Sequence, residues 1–109
     1  MELYEALESF SSLSQETRLR VFKLLLEYGR DGMLPGKIAS TLKIPDNTLS
    51  FHLSHMSKAK LVTSQKHGRT VLYYANTHSI EELIVYLKEH CCLREKSKGK
   101  NKKYNERKC

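Results

Sequence analysis

The stretch IPDNTLSFHLSHMSKAK, residues 44–60, limits the possible folds more than any other part of this chain. Leu49, Leu53 and Met56 recur at spacings of four and three, which places them on one stripe of a helix. Asn47, Ser50, Phe51, Ser54 and Lys58 fall on the opposite side. A solvated helix face is usually crowded with Glu and Lys. This one offers hydroxyls, an amide and one aromatic ring, so it can press on a polar surface without repulsive charge of its own. Upstream, LPGKIASTLKIP reads as a short helix closed by a tight turn. Downstream, KAKLVTSQKHGRTVLYYA reads as a hairpin. Helix, turn, helix, hairpin is the order of a winged helix-turn-helix, whose second helix enters a DNA major groove. The expected fold class is therefore mainly α with a two-stranded β-hairpin.

The flanking segments read as helices. Residues 2–11 place Leu3, Leu7 and Phe10 on one side. Ser14 is the expected N-cap of a second helix, SQETRLRVFKLLLEYG. Thr17, Val21, Leu24, Leu25 and Tyr28 make its main stripe, widened by Phe22 and Leu26, so this helix is expected at the buried centre. Gly29 and Gly32 end it, and Pro35 suits the first turn of the third helix, with Ile38 and Leu42 inward. Strands are expected over residues 61–64 and 70–75, with His67-Gly68 at the tip between Lys66 and Arg69. A last helix, from Ser79 to Arg94, carries Ile80, Leu83, Ile84, Leu87 and Cys91 on one stripe.

Hydrophobic residues make up 39% of the 109, low for a self-sufficient core in so short a chain. Part of the apolar surface is thus expected to be shared between two copies, through the first and last helices. No run approaches the roughly 18 apolar residues of a membrane span. The acidic, amphipathic start is not a secretion signal, so a cytoplasmic location and reduced thiols are expected.

The net charge of +7 is unevenly placed. Counting Lys/Arg against Asp/Glu, residues 1–32 carry −2, 33–76 carry +5, 77–93 carry −2 and 94–109 carry +6. One basic face for phosphates, separate from the terminal helices, is what this division implies. The expected organisation is one DNA-binding and dimerisation domain over 1–93 and a basic, disordered tail over 94–109.

For DNA, Asn47, Thr48, Ser50, Phe51 and Ser54 are the groove candidates. Hydroxyls bond phosphates or bases, and a phenyl ring meets a thymine methyl. Lys37, Lys58, Lys66 and Arg69 are the phosphate candidates, which position without reading sequence. His52 and His55 flank the apolar stripe and read as packing or cap partners rather than metal ligands.

The runs LSQETRLRVFKLLLEYG, IPDNTLSFHLSHMSKAKLV and GRTVLYYAN resemble the ArsR/SmtB family of metal-responsive repressors over about residues 9–92. The resemblance implies a homodimer that holds double-stranded operator DNA and releases it when a toxic ion binds. The family places its sensing sites variously. A Cys-x-Cys site on the third helix is absent, since Leu34-Pro35-Gly36-Lys37-Ile38 holds no cysteine. An Asp/His site on the last helices is disfavoured, since His78 and His90 are twelve apart, about 120° out of line on a helix. The vicinal pair Cys91-Cys92 resembles the arsenite-sensing type. Those relatives carry a third cysteine a few residues on, where this chain has Ser97 and Lys98. Cys109 is then the candidate third ligand, and As(III) or Sb(III) the inducer, with no resident cofactor required.

Thiolates suit such soft ions. On a regular helix adjacent side chains point about 100° apart, so shared ligation is expected to unwind the last turn and disturb the pairing of subunits. Other readings stand beside this one. Zinc or cadmium could take the thiolates, the thiols could respond to oxidation, or Cys91 could be a small core hydrophobe. A winged helix can also serve as a protein-interaction module. An enzyme finds little support, since no Cys/His or carboxylate pair is placed for acid–base work.

Overall fold

A computed structural model describes residues 1–96, in the order α1 (Leu3–Leu13), α2 (Glu16–Tyr28), a 3-10 turn (Gly29–Asp31), α3 (Pro35–Leu42), α4 (Asp46–Lys58), β1 (Val62–His67), β2 (Thr70–Ala75) and α5 (Thr77–Lys88). The expected class, five helices and a two-stranded antiparallel hairpin, is what the chain adopts. The tail from residue 97 on, and Cys109 with it, lies outside the described residues.

α2 forms the centre, as its wide apolar stripe requires. Val21, Phe22, Leu24 and Leu25 are buried there, against Ile38 and Ala39 of α3, Leu49, Leu53 and Met56 of α4, and Leu61 and Val62 at the hairpin root. Each such large side chain contributes about 1.5–3 kcal/mol relative to an exposed one. Thr17 is half-buried, while Leu26 and Tyr28 stay exposed at the edge of the stripe.

Three boundaries differ from the sequence expectation. α1 runs to Leu13, so Ser14 closes α1 instead of opening α2, and its hydroxyl donates to the Ser11 carbonyl. Gln15 is the N-cap of α2 and accepts the Arg18 N–H at 2.9 Å. β1 reaches His67 rather than ending at Ser64, because its whole length pairs with β2, from Val62 opposite Ala75 to His67 opposite Thr70. Met33 adds a third, single-residue rung. It exchanges hydrogen bonds with Tyr73 at 2.9 and 2.8 Å, which ties the segment after α2 to the wing.

The third difference bears on function. α5 begins at Thr77, where the Asn76 side chain caps it, and ends at Lys88 rather than Arg94. Beyond it the backbone makes tighter bonds spanning three residues, from Glu89 to Tyr86, Cys91 to Lys88, Leu93 to His90 and Glu95 to Cys92. Cys92 takes a left-handed φ of 62°, which no α-helix tolerates. The predicted stripe therefore splits. Leu83 is buried and Ile80 half-buried, Ile84 and Leu87 are exposed, and Cys91 is off the helix. Among the described residues no helix is long and apolar enough to cross a membrane.

Gly32 is a buried residue at φ 67°, where a Cβ would lie 2.6 Å from the Tyr74 ring. Both the backbone and the space forbid a side chain. We expect Gly32→Ala to lower the unfolding free energy by about 1–3 kcal/mol. A urea melt with an unshifted midpoint would contradict this account of the turn.

Candidate DNA interface and thiol pair

The burial of Leu49, Leu53 and Met56 turns the other side of α4 outward. Asn47, Thr48, Ser50, Phe51, Ser54 and Lys58 are all exposed there. Asn47, Ser50, Phe51, Ser54 and Lys58 share one face by their three- and four-residue spacing. Thr48 lies beside that face, and its N–H donates to Asn47 Oδ1 at 2.9 Å. The Phe51 side chain is 65% exposed, a large apolar surface for a residue in the middle of a helix.

The remaining candidates sit on neighbouring elements. Lys37 is exposed on α3, which packs on α4. Lys66 is exposed near the end of β1, and Arg69 is exposed in the two-residue loop behind Gly68. Gly68 has φ 66°, as a tight hairpin loop asks of its first residue. The structure thus gathers the groove candidates and Lys58 on one helix, and carries the other phosphate candidates on α3, β1 and the hairpin loop.

The inward histidines behave as packing partners. His52 is 8% exposed, and its Nδ1 lies 3.3 Å from Arg18 Nη1. Burial, then the Arg18 guanidinium and then His55 hold its imidazole below the usual histidine range. The His55 Nδ1 lies 3.2 Å from the hydroxyl of buried Ser12. Arg18 also donates from Nε to the Ser12 carbonyl at 2.8 Å.

Sequence reasoning missed two residues near this face. Arg18 stands in the Glu16-Thr17-Arg18 run that carries the resemblance, three before Val21 and four before Phe22, but neither that run nor the spacing gave it a role. Lys43 carried no signal. It is an exposed cation in the turn between α3 and α4, at φ 59° and ψ 50°, where the Ile44 N–H closes back on the Ala39 carbonyl. A lysine there takes a backbone that favours glycine.

The two vicinal cysteines lie at the other end of the chain. Cys91 is exposed, Cys92 is half-buried, and their sulfurs are 3.6 Å apart. α5 has already ended at Lys88 and Cys92 takes a left-handed φ, so neither cysteine sits on a helical turn that could unwind. That corrects the expected coupling. Among the described residues no group of three or more His, Cys, Asp or Glu side chains is placed to hold a metal ion.

Comparison with known proteins agrees with this architecture. The profile of a family described as a helix-turn-helix domain matches residues 13–65. A helix-turn-helix-type transcriptional regulator of Methanocaldococcus jannaschii is 39% identical over 90 residues, which cover 82% of this chain and 99% of that protein. An ArsR-like transcriptional regulator from Rhodococcus superposes with a TM-score of 0.71 at 27% identity, covering 79% of this chain and 78% of its own. A homodimeric winged helix-turn-helix DNA-binding domain from Mycobacterium bovis shares the fold, with a TM-score of 0.66 at 19% identity over 88% of this chain and 90% of its own. By fold and kinship this chain belongs to the helix-turn-helix-type transcriptional regulators, its winged-helix fold is that of the ArsR-like neighbour, and it is a regulator rather than an enzyme.

Proposed function

We propose that the chain is a homodimeric repressor that holds operator DNA through α4 and the wing and lets go when As(III) or Sb(III) binds its cysteines. The observation that carries the DNA half is the outward face of α4. It presents hydroxyls, an amide and an exposed phenyl ring, flanked by Lys37, Lys58, Lys66 and Arg69. Groove reading falls to Asn47, Thr48, Ser50, Phe51 and Ser54. The four cations meet phosphates.

Two copies are proposed to pair through α1 and α5. These helices pack on each other and leave Leu3, Tyr4, Leu7 and Phe10 of one, and Ile84, Val85 and Leu87 of the other, exposed to solvent. Val85 is 66% exposed and Leu7 55%. A contiguous apolar surface of this kind marks an interface. A second copy is the occupant that also gives two reading helices for an inverted-repeat site.

Cys91 and Cys92 are the proposed sensing pair, with Cys109 as third ligand from either subunit. Support comes from the 3.6 Å approach of the two sulfurs, a span that one thiophilic ion about 2.3 Å from each can bridge, and from the softness match of thiolate and As(III). Ion capture fixes the turns that follow α5. Those turns follow directly on α5 and carry exposed Leu93, and in this reading fixing them alters the pairing through α5 and with it the spacing of the two α4 helices. The same sulfur approach favours thiol oxidation as the second reading.

Four outcomes are expected. With eight cations per dimer, log affinity for DNA upstream of its own gene falls against log salt with a slope of about −7. Phe51→Ala weakens that binding about tenfold or more, the loss of one base contact. Its urea stability changes by less than about 0.5 kcal/mol, as for an exposed site. A flat salt response, or a Phe51→Ala protein that binds normally, removes α4 as the reading helix. In sedimentation equilibrium the parent is a dimer and Leu7→Glu shifts it toward monomer; a monomeric parent ends the pairing proposal. Arsenite dissociates the parent from DNA but not a Cys91→Ser, Cys92→Ser double variant, and an unaltered response in that variant would place sensing elsewhere.

A further inference from the structure

Three helices meet at a buried polar cluster that neither the DNA contacts nor the thiol pair uses. Ser12 of α1 is fully buried. Its carbonyl accepts from Arg18 Nε of α2 at 2.8 Å, and its hydroxyl lies 3.2 Å from His55 Nδ1 of α4. Arg18 Nη1 reaches His52 Nδ1 of α4 at 3.3 Å. A guanidinium can only donate. His52 Nδ1 is therefore the acceptor, and the ring is neutral with its proton on Nε2. The neighbouring Phe51 ring meets the His52 ring edge-on, with centroids 5.5 Å apart and planes at 67°. One chain of contacts thus runs from α1, which carries the proposed pairing surface, to the aromatic residue on the outward face of α4.

We infer that Arg18 is a positioning residue that fixes α4 relative to α1 through neutral His52, and that protonation of His52 breaks this link and releases DNA. The inference rests on the reading of α4 as the DNA-facing helix. Protonation removes the lone pair that Arg18 needs and sets an imidazolium 3.3 Å from a guanidinium. The other charged groups are His55 on α4, which adds to the repulsion, and Glu8 of α1 and Lys58 of α4, which line the adjoining groove with His55. Burial, Arg18 and His55 each favour the neutral ring. The sign follows. The link is intact above the ordinary imidazole value of about 6.5 and is lost as pH falls through the lower value of the folded state. The generic trend is opposite, since protonating the five histidines would strengthen attraction to phosphates.

The test uses the full chain and labelled DNA from upstream of its own gene, with anisotropy read from about pH 7.5 to about pH 5.0 at fixed ionic strength. The parent is compared with His52→Asn, whose amide oxygen takes the place of Nδ1 without titrating, and with Arg18→Lys, whose single nitrogen cannot serve both acceptors. At the upper pH, His52→Asn binds within about threefold of the parent, and Arg18→Lys binds about tenfold or more weaker, while it still unfolds in one cooperative transition well above the assay temperature and keeps the parent's dimer mass. On acidification the affinity of the parent relative to His52→Asn falls about tenfold or more. A ratio that does not move with pH, or an Arg18→Lys protein that binds like the parent, overturns the inference alone. A parent that binds no DNA at the upper pH overturns the reading of α4 and this inference with it. Nitrogen-15 spectra of the parent ring give an independent check that needs no folded variant. Nδ1 must be unprotonated at the upper pH, and a proton there overturns the proposal.

Discussion

The packing of α4 on α2 is the constraint on which the rest of the molecule depends. Leu49, Leu53 and Met56 are almost completely removed from water against Val21 and Leu25. That contact leaves α4 a single rotational setting, and any other would expose three large apolar side chains or bury Ser50 and Ser54 without partners. The outward face is thus the complement of the inward one. A regulator needs its reading side chains presented on a rigid element, and here the core supplies the rigidity.

The same contact creates a polar problem, which Arg18 resolves. His52 follows Phe51 and falls on the inner side of α4, where an unpaired ring nitrogen would be costly. Arg18 donates to it and also satisfies the Ser12 carbonyl at the end of α1. No buried side-chain nitrogen or oxygen among the described residues lacks a hydrogen-bond partner. A fully satisfied cluster of this sort fixes the relative placement of three helices more sharply than apolar contact does.

Much of this was legible in the amino-acid order. The α4 stripe, the Pro35 start of α3, the buried centre of α2 and the hairpin around Gly68 follow from periodicity and turn chemistry, and the structure holds all four. The errors share a cause. Ser14 is the better N-cap by residue type, yet α1 runs far enough to claim it, and Gln15 caps instead. The α5 periodicity continues to Cys91, but the helix stops at Lys88, because periodicity reports which side chains could share a face and not whether anything packs beneath them. The α1 stripe of Leu3, Leu7 and Phe10 was assigned correctly to one side, and that side faces solvent, while Ala6, Ser9 and Ser12 face inward.

The sequence by itself determined the class of fold, the helix that presents a polar face, and the segregation of positive charge to residues 33–76, since these depend on spacing and composition alone. Only the tertiary structure decided that Arg18 meets His52 across 34 residues of chain, that Met33 joins the wing, and that Cys91 and Cys92 face each other beyond the end of α5. The reason is physical. Local periodicity fixes which face of an element is apolar, whereas a hydrogen bond between distant residues, a left-handed turn or a helix end is set by the neighbours that folding brings within reach.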